Sequence, residues 1–148
     1  MSLTRLVAVA PFVLLVGVSD GASAQTVSLP AAITLKMEKP DPSVRPELAA
    51  YAAKWGGHWV GFADSNLIVE SVTKEGDVIA VYVFGATPTV AAGGSRVRAK
   101  IVAAQFLIWG DSVNGTGFEF TMLPDGGLMG ERRTKGVRDG LVFMTRIQ

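Results

Sequence analysis

The chain has 148 residues, no cysteine, one histidine and a formal net charge of +1. Without cysteine neither a disulfide staple nor a Cys–His catalytic pair can form, and a single imidazole excludes a multi-histidine metal site within one chain. Near-neutral charge gives no sign of a nucleic-acid partner.

Residues 1–24 have the three-part layout of a secretory leader: Arg5 near the start, an apolar run from Leu6 to Val18, and a small-residue end at Ala22-Ser23-Ala24, after which cleavage is expected. The 13 residues of that run, broken by Pro11, cover about two thirds of the ~20 a membrane-crossing helix needs. The mature chain, Gln25–Gln148, is then expected to be a single domain in a bacterial periplasm or secreted, with no membrane span and no cysteine for a lipid anchor.

From Gln25 to Arg45, three prolines (Pro30, Pro40, Pro42) and no sustained period predict an extended arm. Pro46 and Glu47 then open a run with Leu48, Tyr51, Ala52 and Trp55 at helical spacing, stopped by Gly56-Gly57, which predicts one short helix of about ten residues. After Gly57 the period becomes two. Strands are expected at 58–62, 67–73, 78–84, 96–103, 106–109, 115–122, 128–134 and 140–147, separated by turn-forming clusters such as Glu75-Gly76-Asp77 and Arg138-Asp139-Gly140. No Gly, Pro or Asn marks a turn between Arg96 and Trp109, so that segment is one long bent strand or two strands joined tightly at Ala103-Ala104-Gln105, giving seven or eight in all. Links this short join antiparallel neighbours, and closing the sheet removes its edges. The expected fold is all-β: a seven- or eight-stranded antiparallel up-and-down meander closing into a small barrel, preceded by one short helix. Gly85 to Ser95 is its longest connector, a candidate contact loop.

Gly57-His58-Trp59 at the start of a strand after a short helix resembles the G-x-W signature of lipocalins and the wider calycin group, including its avidin branch. The resemblance implies a structural clasp of Gly57, Trp59 and Arg146, with Trp59 at the closed end of the barrel and Arg146, from the last strand, stacked over its ring. The chain departs from a lipocalin proper in its short barrel, in lacking a Thr-Asp-Tyr type motif and in ending on a strand. The resemblance therefore points to a smaller calycin-like barrel and carries over no ligand.

No nucleotide-binding loop, nucleophile elbow or metal-ligand spacing occurs, so no catalytic residue, metal or cofactor is assigned. An enzyme would have to rest on Asp64, Glu70 or Glu119 as acid or base, with His58 as an exposed rim residue. Arg96, Arg98 and Lys100 alternate with apolar residues and present one charged face; with Arg132, Arg133, Lys135 and Arg138 they form a basic patch if their strands are neighbours. Aromatic residues at alternating positions build a core and, where the barrel keeps a cavity, line it; Tyr82, Trp109, Phe118 and Phe120 are the expected ligand-binding residues. The leading expectation is an exported, non-enzymatic barrel for a small, partly apolar ligand. The alternative is a module that binds an envelope or extracellular protein, such as a protease or lysozyme inhibitor, through the arm and the 85–95 loop.

Overall fold

The computed structural model describes residues 27–148, so the expected leader and its cleavage point after Ala24 lie outside the described residues. A helix α1 (Pro46–Ala49) precedes eight strands: β1 (Lys54–Trp59), β2 (Asp64–Val72), β3 (Asp77–Phe84), β4 (Gly93–Val102), β5 (Phe106–Gly110), β6 (Thr116–Met122), β7 (Leu128–Thr134) and β8 (Val137–Ile147). Each strand pairs antiparallel with its successor, and β1 pairs with β8 to close the barrel. The all-β meander is thus an eight-stranded closed barrel.

The helix is much shorter than its apolar spacing suggests. Pro46 starts it without a side-chain cap, and it ends at Ala50. Trp55, expected as its last apolar contact, belongs instead to β1, where the backbone from Lys54 onward pairs with both β2 and β8. Ladders on two sides outweigh another helical turn that would run straight into Gly56-Gly57. Leu48, Tyr51 and Trp55 are all buried, so the spacing correctly marked residues facing the core but not their backbone conformation.

The ambiguous segment is two strands. Ala103 and Ala104 both take left-handed backbone (φ 50° and 54°), a conformation costing roughly 1–2 kcal/mol per non-glycine residue. The Tyr51 hydroxyl offsets this strain by donating to the Gln105 carbonyl while accepting from the Met122 N–H. The turn before β8 also moves: Lys135-Gly136 forms it, and Arg138-Asp139-Gly140 lies inside the strand, across a register shift opposite Arg132/Arg133.

Inward residues fill the barrel, among them Leu67, Val69, Ala80, Leu107, Phe120, Leu128, Val142 and Met144. Gly57 lies mid-strand, and its value is space rather than conformation: a Cβ there would fall 2.3 Å from the Phe143 carbonyl oxygen and 2.8 Å from Met144 Cγ. Outside the barrel, the arm lies across β2 and β3. Val27, Ile33 and Leu35 cover a second apolar cluster of Ile68, Val81 and Val83. Glu70 fastens the arm. It occupies the irregularity between Val69 and Ser71, where β2 loses register with β3. Its Oε1 accepts from the Lys36 N–H (2.6 Å) and its carbonyl from the Glu38 N–H (2.7 Å). Arg96 binds both Glu70 carboxylate oxygens and donates to the Thr34 carbonyl.

Candidate functional site at the barrel mouth

Strand direction puts α1, Trp55 and the connections 73–76, 103–105 and 123–127 at one end of the barrel. The connections 60–63, 85–92, 111–115 and 135–136 lie at the other. The first end is plugged. Trp55 is fully buried, its Nε1 donates to the Tyr51 carbonyl (3.0 Å), and Arg146 Cζ lies 5.1 Å from its ring centroid while Nη2 donates to the Ala50 carbonyl (2.9 Å).

This corrects the expected clasp. Arg146 covers Trp55, not Trp59, because the register sets Trp55 opposite Arg146 and Trp59 opposite Val142. Four residues along a strand is about 13 Å, so Trp59 sits toward the other end. The residue two before Trp55 is Ala53, so the G-x-W letters and the stacked tryptophan belong to different positions.

At the mouth, Trp59, Phe62, Tyr82, Phe84, Val90, Phe118 and Arg132 line a cavity of about 120 Å³. Inward alternation on β1, β3, β6 and β7 supplies Trp59, Tyr82, Phe118 and Arg132, while Phe62 and Val90 come from loops. Trp59 Nε1 donates to the Tyr82 hydroxyl (2.7 Å), which fixes both rings. Burial pushes the Tyr82 hydroxyl pKa up, with the bond from Trp59 opposing it, so the phenol stays neutral. Phe118 meets Trp59 edge-on at 6.0 Å and lies 5.3 Å from Tyr82. The Trp59 ring rests against Gly140, where a Cβ would stand 3.1 Å from it. Arg132 is the one charged group in the wall. Its Nε binds Asp139 (3.0 Å), whose carboxyl it holds below the usual range, and its guanidinium lies 5.7 Å from the Phe62 ring centroid.

Of the four expected ligand residues, Tyr82 and Phe118 are in this wall. Trp109 stacks on Phe118 and Phe120 and borders a separate depression of about 110 Å³ with Ser112 and Arg133. Phe120 is fully buried beneath them and reaches neither space, so its expected ligand contact is corrected to a core role: it packs on Gly130, whose missing Cβ makes the room. Sequence reasoning missed Trp59, Phe62, Phe84, Val90 and Arg132 as wall residues. Alternation could have placed Phe84 with Tyr82; nothing local marks Arg132 as inward.

The other chemical candidates disperse. His58 is exposed and its Nδ1 is 2.9 Å from Asp64 Oδ1. Glu70 holds the arm, and Glu119 lies on β6 with an outward-facing side chain, opposite Glu131. The basic patch does not form: β5 and β6 separate β4 from β7, Arg96 and Lys100 pair with Glu70 and Asp77, and Arg133 and Arg138 share Glu131. Among the described residues no group of three or more His, Asp or Glu could hold a metal ion, and no helix is long and apolar enough to cross a membrane. The class defined by fold and site is therefore a closed eight-stranded antiparallel β-barrel with an aromatic mouth cavity. No protein family, curated protein or solved structure matches the chain.

Proposed function

We propose that the chain is an exported, calycin-like barrel whose mouth cavity holds a ring-sized apolar group of a small ligand. The observation that carries this is the cavity's match of size and wall: about 120 Å³, bounded by five aromatic rings and one valine, against the ~150 Å³ apolar cavity known to bind benzene. The volume is well below the ~300–1,000 Å³ of sites that enclose a whole drug-sized molecule. Only part of a larger ligand would enter, the rest lying among the mouth loops. Arg132 suits a polar or anionic substituent at the rim. The calycin-like part of the reading is supported by the closed meander, the helix before β1 and the Trp55–Arg146 stack beside that helix. Docking of the arm on β2 and β3 favours this reading over a protein-binding module that would use a free arm.

Tryptophan fluorescence and thermal shift with indole, toluene and short isoprenoid alcohols test it. A saturable response is expected, abolished by Val90→Trp, which fills the cavity from its rim without entering the core. No saturable response to any ring compound, or full binding by Val90→Trp, overturns the reading.

A further inference from the structure

The mouth connections share a property the opposite end lacks. Each has an exposed valine at or beside it: Val60 (70% exposed) between β1 and β2, Val90 (38%) between β3 and β4, Val113 (70%) between β5 and β6, and Val137 (67%) just after the β7–β8 turn. The connections 73–76, 103–105 and 123–127 themselves have no large exposed apolar residue; outside them Val102 at the end of β4 and Met37 on the arm are exposed. These three connections hold the charged Lys74, Glu75 and Asp125. In the four mouth connections only Asp111 and Lys135 are ionisable. Asp111 is turned onto its own loop, accepting from the Val113 and Asn114 N–H groups. A single exposed valine is ordinary, whereas one at every connection around a single opening is an organised apolar surface.

Charge adds a direction. The hairpin from Glu131 to Asp139 carries four cations (Arg132, Arg133, Lys135, Arg138) against two carboxylates (Glu131, Asp139), a net +2. We infer that the mouth end docks on a lipid surface bearing anionic headgroups, with the valines entering the interfacial layer and Lys135 and its hairpin meeting the headgroups. The valines stand on three separate loops and at the start of β8, and two of the four connections are turned by left-handed Gly61 and Gly136. A fluid lipid layer accommodates separate apolar tips, while a protein partner would need one continuous complementary face. Val90 belongs to both the crown and the cavity wall. The cavity would thus open toward the layer, and an apolar ligand would pass between them without crossing bulk water; that consequence rests on the ligand reading above, while the docking does not.

Vesicle flotation of the chain from Gln25 onward, with phosphatidylcholine alone and with added phosphatidylglycerol, tests the inference. The parent is expected to float with both and more completely with the anionic lipid. Replacing Val60, Val113 and Val137 together by Ser should lower binding at least ~10-fold on both, with an unchanged urea midpoint and an unchanged thermal response to the single-ring ligands. Lys135→Gln should lower binding about fivefold on the anionic vesicles alone. Parent protein that stays in the soluble fraction, a triple variant that floats like the parent, or valine-dependent capture of a protein without vesicle binding each overturns it. Because the ring-ligand response is read separately, failure of docking and failure of the ligand reading are distinguishable.

Discussion

At the helix end, Trp55 donates to a backbone carbonyl, Tyr51 bonds a carbonyl and an N–H, and Arg146 reaches the Ala50 carbonyl. At the mouth the same three residue types meet mainly side chains: Trp59 donates to Tyr82, and Arg132 pairs with the Asp139 carboxylate while making a longer contact of 3.4 Å to the Asp139 carbonyl. The backbone partners at the helix end lie in the turns around 50–51 and 103–105 and at the end of β6, which the bonds tie together, so that end is sealed. At the mouth the partners are mainly side chains, and there a cavity persists. The comparison teaches that tryptophan, tyrosine and arginine do not by themselves distinguish a structural plug from a binding site; the kind of partner does.

The largest effect expected on this comparison is from the tryptophans. Trp55→Ala should cost about 5 kcal/mol and Trp59→Ala about 3 kcal/mol, the two ends of the range for core aromatics, because the mouth already contains space and can relax into it. Urea midpoints check the ranking, and a larger loss at Trp59 would invert the assignment of plug and site. Next come the tyrosines. Tyr51→Phe strands the Gln105 carbonyl over a left-handed turn and should cost about 2 kcal/mol; Tyr82→Phe strands the Trp59 N–H beside a cavity that can relax and should cost about 1 kcal/mol. Thermal unfolding of both variants gives the comparison. Arg146→Ala should cost about 1 kcal/mol and be non-additive with Trp55→Phe but additive with Trp59→Phe in double-mutant cycles. Coupling to Trp59 instead would restore the clasp expected from sequence.

The arm belongs to neither end and serves as a control on both. Arg96's hydrogen bonds, more than the Lys36 N–H, hold the Glu70 carboxyl below the ordinary range against the opposing effect of burial. A folded value below the unfolded one means that this contribution is complete above the ordinary glutamate range (~4.3) and is lost as pH falls through the depressed folded value. The Lys36 amide resonance should therefore stay unchanged from neutral pH to the ordinary carboxylate range and move only in stronger acid. Glu70→Gln should loosen the arm at neutral pH, with faster proteolytic nicking between residues 27 and 38 and both ends of the barrel intact. The smallest effect is at His58→Ala, within about 0.5 kcal/mol by urea midpoint, as for other exposed positions.

Strand number and order were largely legible, since alternation after Gly57 and turn clusters such as Glu75-Gly76-Asp77 act within a few residues. What escaped was set by distant partners. Trp55 becomes strand through β2 and β8, and Arg146 finds Trp55 through the register of a pairing across the whole domain. Ala103-Ala104 turns without a turn residue because Tyr51, about fifty positions earlier, holds it. Docking of the arm did leave a readable trace. Leu67-Ile68-Val69 and Val78 to Phe84 are apolar on both faces, the pattern of strands covered twice. In the site, alternation pointed to Tyr82 and Phe118, but no local pattern reports that Phe120 lies one layer deeper.

Closure of the ring has a kinetic consequence. Seven of the eight pairings join consecutive strands, while β1–β8 joins the two extremes of the barrel, and the Arg146–Ala50 hydrogen bond spans 96 positions. Loop entropy makes that seam the costliest contact to reach, so hairpins should assemble first and the ring should shut last. Substitutions along the seam, Arg146→Ala among them, should then accelerate unfolding while leaving the refolding rate nearly unchanged, the signature of contacts absent from the transition state.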